Sequence, residues 1–187
     1  MKNIIILASG SGTNAENIIK YFNNSTTAKV TWLLSNKEDA YAITRAKNLN
    51  INTLTFTKEE FSNLDKVLHF LIEKQPDLIV LAGFLLLVPS KIVRAFPNRI
   101  VNIHPALLPA YGGKGMYGEH VHKAVIENKE NKSGITIHFV NENYDEGDII
   151  FQASCSISKN DTPESLAEKI HELEHAHFPK VIEGLLG

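Results

Sequence analysis

Two runs without a single polar side chain, Ile4-Ile5-Ile6-Leu7 and Leu78 to Ala82, constrain this chain more than any other feature. A strand that is apolar on both sides needs both faces of its sheet covered, which is the situation of parallel strands between two helical layers. The segments between such runs carry the 3.6-residue period of amphipathic helices. Asn14 to Phe22 places Ile18, Ile19 and Phe22 on one side, and Ala40 to Leu49 does the same with Ala42, Ala46 and Leu49. Phe61 to Lys74 carries Leu64, Leu68, Leu71 and Ile72, and Pro89 to Phe96 reads as a short helix. Val30 to Leu34, Thr53 to Phe56 and Ile100 to Ile103 complete the strands. The alternation predicts an α/β fold with a doubly wound, mostly parallel sheet.

The texture changes from Gly134. Ile135, Ile137 and Phe139 alternate with Thr136, His138 and Asn141, and Ile149 to Ile157 follows an acidic turn. Two strands with a short connection predict an antiparallel addition at the C-terminal end of the sheet. A final helix is expected from Thr162, an N-cap type followed by Pro163, with a buried stripe of Leu166, Ile170, Leu173, Val181 and Leu185.

At 187 residues and 43% hydrophobic, the chain is expected to form one domain over 1–187 with a core that needs no disulfide or metal staple. The net charge of −2 gives no global footprint for nucleic acid or an anionic membrane, so any phosphate must be held by a local device. No apolar run approaches the ~18 residues of a membrane span. The stretch Met1 to Leu7 is too short for a signal core, and the lone Cys155 reads as a small hydrophobe in a strand; a cytoplasmic location is expected. No feature of the sequence specifies an oligomeric state.

Ser9-Gly10-Ser11-Gly12-Thr13-Asn14 joins the first strand to the first helix. Unpaired N–H groups and the positive end of the helix dipole favour an anion there, with Gly12, Thr13 and Asn14 the best candidates. From these residues alone, a tight turn that binds nothing accounts for the loop equally well. Gly10, Gly12 and Ala15 also satisfy a dinucleotide pattern, which requires an acid at the end of the second strand. That place holds Ser35-Asn36-Lys37, with Glu38 and Asp39 opening the next helix, so NAD is disfavoured.

Asn102-Ile103-His104-Pro105-Ala106-Leu107-Leu108-Pro109 is the most informative segment. Asn102 and His104 share a face at the carboxyl end of a strand, where open α/β sheets place their ligands. A carboxamide and an imidazole together there point to chemistry. An amide can donate to a developing oxyanion, and an imidazole can carry a proton.

Taken with the Gly10-to-Asn14 loop and with Asp145 in the later acidic turn, this segment resembles the folate-dependent formyltransferases. The loop at the start points to the purine-pathway members, the phosphoribosylglycinamide formyltransferases. The resemblance runs from Met1 nearly to the end of the chain. It implies the Rossmann-like fold of that family, 10-formyltetrahydrofolate as co-substrate and formyl donor, and 5-phosphoribosylglycinamide as acceptor. It implies a catalytic set of Asn102, His104 and Asp145, and no metal. As residues alone, Asp145 in Asn143-Tyr144-Asp145-Glu146-Gly147-Asp148 is a turn residue. If the carboxylate reaches the imidazole, its charge is expected to raise the pKa of His104.

The resemblance also assigns Leu85, Leu86, Leu87 and Val88, with Asn102, to the folate pocket, although composition alone reads that run as core. Leu86 stands where members of the family commonly carry Arg, which leaves a charged contact to the folate tail absent or supplied elsewhere. The glycine-rich loop Tyr111 to Gly118 is longer than usual; a lid with Lys114 near phosphate and an ordinary surface loop both remain open readings.

His171-Glu172-Leu173-Glu174-His175 matches the H-E-x-x-H pattern of zinc proteases. Only 12 residues follow His175, Phe178 holds the position of the extended motif's Gly, and no Cys cluster offers a third ligand. The better reading places Glu174 at the edge of the inward face, where the resemblance puts contacts to the acceptor's ammonium or ribose hydroxyls; His171 is balanced between that and a solvated face. Two rival activities of the same superfamily fit less well: formylation of methionyl-tRNA calls for a further domain and a basic surface, and folate deformylation for an N-terminal regulatory domain. A nucleotide-binding module that leaves Asn102, His104 and Asp145 idle is the alternative from another class.

Overall fold

The computed structural model describes residues 1–187 and contains one seven-stranded sheet of order β3-β2-β1-β4-β5-β6-β7. The strands are β1 (Lys2–Leu7), β2 (Ala28–Ser35), β3 (Asn52–Thr55), β4 (Leu78–Leu81), β5 (Ile100–His104), β6 (Lys132–Phe139) and β7 (Ile149–Ser156). The first five are mutually parallel; β6 runs antiparallel to β5, and β7 antiparallel to β6. The helices are α1 (Thr13–Phe22), α2 (Tyr41–Asn48), α3 (Lys58–Ser62), α4 (Lys66–Lys74), α5 (Ser90–Ala95), α6 (Glu119–Glu127) and α7 (Pro163–Leu186). The doubly wound sheet with its antiparallel C-terminal addition is as the sequence predicts.

Strand alternation sorts the apolar residues into two cores. Ile4, Ile6, Leu33, Val80, Val101 and Ile103 face the layer formed by α1, α2, α6 and α7. Ile5, Leu7, Leu34, Ile79, Leu81 and Ile100 face α3, α4 and α5. Burying both sides is why the runs Ile4–Leu7 and Leu78–Ala82 tolerate no polar residue. The strand order reverses between β1 and β4, and the loops after their carboxyl ends frame the crevice where such sheets bind ligands.

Three details differ from the sequence reading. The helix expected over Phe61 to Lys74 is two helices. Thr57 and Glu60 form a capping box that starts α3, and Asp65 in a left-handed conformation separates it from α4. Leu64 and Ile72 consequently lie exposed, while Val67 and Leu71 are buried. Helix α6, which the sequence reading passed over, supplies Val121 and Val125 to the larger core. In β6 the polar members of the alternation, Thr136 and His138, are as buried as Ile135 and Ile137, because both faces of this strand are covered.

Helix α7 begins at the expected N-cap Thr162 with a reciprocal bond to Ser165, and Pro163 takes the first position. Its fully buried line is Leu166, Ile170, Glu174, Phe178 and Ile182, at strict four-residue spacing. Leu173, Val181 and Leu185 pack beside it, only partly buried. A carboxylate thus occupies a core position of the helix, and it needs partners.

Candidate active site

One cavity of about 930 Å³ opens at the carboxyl ends of β1, β4 and β5, and all of the residues that the sequence singled out for function line it. Gly12, Thr13, Asn14 and Glu174 form one side; Leu85 to Val88, Asn102, His104 and Asp145 form the other.

The first side is braced by the helix next to it. The Gly10 carbonyl accepts from the Ala42 N–H (3.1 Å), and the Ser11 carbonyl accepts from Arg45 Nε (3.0 Å). Arg45 is itself paired with Glu16. Gly12 has φ 75°, and a Cβ there would lie 2.5 Å from the Ala42 backbone, so two independent constraints demand glycine. The Ser9 hydroxyl donates to Asn36 Oδ1 (2.6 Å) and accepts from the Leu85 N–H (3.0 Å), which ties the ends of β1, β2 and β4 together. The place where a dinucleotide site would need an acid is thus spent on a structural amide. At the start of α1, the N–H groups of Gly12, Thr13 and Asn14 have no acceptor within the protein.

Glu174 is only 5% exposed. Its Oε2 accepts from Asn14 Nδ2 (2.8 Å) and from His171 Nδ1 (3.0 Å). Hydrogen bonding to Glu174 raises the pKa of His171 against the opposing effect of burial. His171, itself half-exposed, therefore lines this corner, and His175 does not. Two buried polar atoms nearby lack a partner, Asn14 Oδ1 and His122 Nδ1. A corner with free N–H groups, an anchored carboxylate and unpaired polar atoms is suited to a ligand rich in hydroxyls, amine and phosphate.

The opposite side is assembled by register. Cross-strand pairing sets Asn102 opposite His138 and His104 opposite Thr136. His138 Nδ1 donates to the Phe139 carbonyl (2.8 Å), so its Nε2 accepts from Asn102 Nδ2 (3.1 Å). That contact fixes which way the Asn102 amide points and leaves its second N–H free. Asp145 comes from the β6–β7 connection; its Oδ2 lies 3.5 Å from His104 Nδ1 and its Oδ1 lies 3.6 Å from His138 Nε2. Asp145 Oδ2 also accepts from the Gly113 N–H (3.0 Å). His104 Nε2 donates to the Tyr111 carbonyl (2.7 Å). The glycine-rich loop is therefore anchored at its start on both members of the His104–Asp145 pair. Gly112 permits this, since a Cβ there would meet Leu108 Cδ2 at 2.6 Å and Asp145 Cβ at 3.4 Å.

The electrostatics correct one expectation. Burial is the largest influence on His104 and holds its imidazole below the usual histidine range, although Asp145 pulls upward as expected and the Tyr111 carbonyl adds to that pull. The side chain is 4% exposed, and desolvation outweighs a carboxylate 3.5 Å away. Burial likewise opposes ionisation of Asp145. The nearby His138 ring, the charge of His104 and the Gly113 N–H more than offset it and lower its pKa. The resting pair is a neutral imidazole beside an ionised carboxylate.

Leu85 and Leu87 are well exposed to the cavity, Leu86 is half-buried and Val88 belongs to the smaller core while still reaching the wall. The main-chain N–H and C=O groups of Leu86, Leu87 and Val88 make no bond within the protein. An apolar wall with free main-chain donors and acceptors fits a flat heteroaromatic ring with a polar edge. Lys114 is the one Lys or Arg among the lining residues.

His138, His122 and the main-chain groups of Tyr111 and Gly113 escaped the sequence reading. For His138 a signal existed, a histidine in phase with Thr136 on an inward-facing strand. Its partner, however, is set by a strand register that the sequence does not display.

Comparison with known proteins agrees with this geometry. The family model described as "Formyl transferase" matches residues 2–182. The chain is 41% identical over 97% of its length to a chloroplastic phosphoribosylglycinamide formyltransferase of Arabidopsis thaliana, and spans 64% of that relative. It is 38% identical to phosphoribosylglycinamide formyltransferase of Haemophilus influenzae, covering 98% of this chain and 86% of that one. The crystal structure of phosphoribosylglycinamide formyltransferase from Bacillus halodurans superposes with a TM-score of 0.90 at 37% identity, over 100% of this chain and 96% of the other. With a family model matched over nearly its whole length, and with the strand-end amide, imidazole and carboxylate brought together in one cavity, the chain belongs to the formyl transferase family.

Proposed function

We propose that this chain, as one domain over residues 1–187, transfers the formyl group of 10-formyltetrahydrofolate to the amine of 5-phosphoribosylglycinamide, a step of purine biosynthesis. The observation that carries this is the meeting of Asn102 and His104 of β5 with Asp145 of the β6–β7 connection in a cavity whose far side holds free helix N–H groups and Glu174. The location proposed is the cytoplasm; no helix of the structure is long and apolar enough to cross a membrane.

The N–H groups of Gly12, Thr13 and Asn14 receive the phosphate, and Glu174, through its unengaged Oε1, takes ribose hydroxyls or the ammonium. The wall of Leu85 to Val88 takes the pterin face, and free main-chain groups read its edge. Attack of the amine on the formyl carbon forms a C–N bond and moves an electron pair onto the formyl oxygen. The second N–H of Asn102 donates to that oxyanion. The amine must lose a proton, and His104 is neutral and can accept it, with Asp145 stabilising the resulting imidazolium. Collapse of the tetrahedral intermediate returns the electron pair and breaks the bond to the folate N10, which takes up the proton that His104 releases. His104 thus acts first as base and then as acid, and no metal is required in this scheme.

The test is turnover of 5-phosphoribosylglycinamide by the purified protein, followed at the folate chromophore. Stoichiometric formylation supports the assignment. Tight binding of the ribonucleotide without formylation would instead identify a binding module.

A further inference from the structure

The same loop carbonyl that contacts His104 has a second attachment, made through its own side chain. Tyr111 adopts φ 57°, a left-handed conformation that non-glycine residues adopt infrequently. Its ring packs against the larger core. Its phenol donates to Glu130 Oε1 (2.8 Å) and accepts from Asn128 Nδ2 (3.0 Å), both just beyond the end of α6. Two residues on, Gly113 donates its N–H to Asp145. The loop is therefore pinned at the phenol, at the imidazole and at the carboxylate.

We propose that Tyr111 is a positioning residue: its carbonyl fixes the Nε2–H form of His104, and its phenol, held by Glu130 and Asn128, keeps that carbonyl in place. The reasoning is a count of donors and acceptors. A carbonyl oxygen only accepts, so at 2.7 Å the Nε2 of His104 must carry hydrogen in either charge state. In the neutral ring, Nδ1 is then the nitrogen with the free lone pair, and it is the one 3.5 Å from Asp145 Oδ2. Any proton that His104 takes up arrives on Nδ1, beside the carboxylate that stabilises it, and leaves from there. The opposite tautomer would set the lone pair of Nε2 against that of the carbonyl at 2.7 Å, a far closer opposition than the 3.5 Å between Nδ1 and Asp145 Oδ2, and would take the free lone pair away from the carboxylate. The groups facing His104 across this site are Asp145, His138 and Glu174. This inference rests on the formyl-transfer reading only for its kinetic arm; the tautomer is a property of the folded protein.

The experiment uses the full chain with ring-¹⁵N histidine. In the wild type, His104 is expected to show a hydrogen-bonded, slowly exchanging Nε2–H, with Nδ1 as the nitrogen that titrates. Tyr111→Phe is expected to speed exchange of that proton by about tenfold or more and to lower kcat about three- to tenfold, with KM for both substrates little changed. Glu130→Leu, which leaves the Tyr111 side chain and the Asn128 contact in place, is expected to show the same two effects at smaller size, and Glu130→Gln, which keeps an acceptor, to restore them. Tyr21→Phe breaks a comparable phenol–carboxylate bond to Glu183, on a surface away from the cavity, and serves as the control. A wild-type His104 protonated on Nδ1 overturns the proposal. So does a folded Tyr111→Phe, with Glu130→Leu, in which exchange and kcat stay at wild-type values. Absence of formyl transfer in the wild type would defeat the functional reading while leaving the tautomer and exchange results to decide this one.

Discussion

The two sides of the cavity are built by different means. The side proposed for the ribonucleotide is local: six consecutive residues after β1, braced by Ala42 and Arg45 of the adjoining helix, with one carboxylate delivered from α7. The reacting side is non-local: β5 supplies Asn102 and His104, β6 supplies His138, the β6–β7 connection supplies Asp145, and the loop after β5 ties them together through main-chain bonds. The first side can hold an anion whether or not the second is aligned. The second has no use for a substrate unless four segments agree to within the reach of a hydrogen bond. Binding and chemistry should therefore separate on mutation, the first side moving KM and the second moving kcat.

The largest effect is expected from His104→Ala, which removes the proton carrier. kcat should fall roughly 10²–10⁴-fold in a protein that folds normally, and near-full turnover would remove His104 from the mechanism. On the other side, Glu174→Gln takes away a charged acceptor. KM for the ribonucleotide should rise about 10–100-fold with kcat held to a far smaller change. Loss of kcat at unchanged KM in that variant would break the division drawn above.

Gly12→Ala tests the brace and not a contact. A side chain at φ 75° that overlaps Ala42 should cost about 1–3 kcal/mol of stability, readable by denaturant titration, and should weaken ribonucleotide binding. Unchanged stability would mean that the loop is free to move away from α2.

The pH profile sharpens the comparison further. In the proposed scheme His104 starts as a base from a neutral state that burial favours, so the acid limb of kcat/KM should lie below the ordinary histidine value of about 6.5. Asp145 is the charge pulling that pKa up. Asp145→Asn should therefore move the limb to still lower pH while lowering the plateau. A limb that moves upward would show that the carboxylate does not act on His104. The smallest change is expected from Leu86→Arg on the folate wall. A solvent-screened contact to the carboxylate tail is worth about 0.2–1 kcal/mol, so KM for the folate should drop by less than about fivefold.

The contrast between the two sides also explains what the sequence disclosed. The parallel sheet was legible because strands buried on both faces admit only apolar residues, and Ile4 to Leu7 or Leu78 to Ala82 has no other use. The glycine loop was legible because its constraint is local: Gly12 needs a positive φ and a neighbour's backbone within reach. Asn102 and His104 stood out as polar residues two apart at the end of a buried strand. His138 did not, since its role comes from pairing opposite Asn102, a register fixed by packing across residues 102 and 138. The break between α3 and α4 was hidden for a related reason: the leucine spacing continues through Leu64, yet Asp65 in a left-handed conformation interrupts the helix there. The direction of the His104 shift was also beyond the sequence, because it depends on how deeply the ring is enclosed. Asp145 was found through resemblance, and its own residues would have left it in a turn.

A double-mutant cycle of His104→Ala and Asp145→Asn on kcat/KM addresses the joint action of the imidazole and the carboxylate most directly. Two groups that act as a unit should be non-additive, so the double variant should lose no more than about threefold beyond His104→Ala alone. A loss equal to the product of the two single effects would mean that they work independently, and the convergence of the two segments on one proton would be wrong.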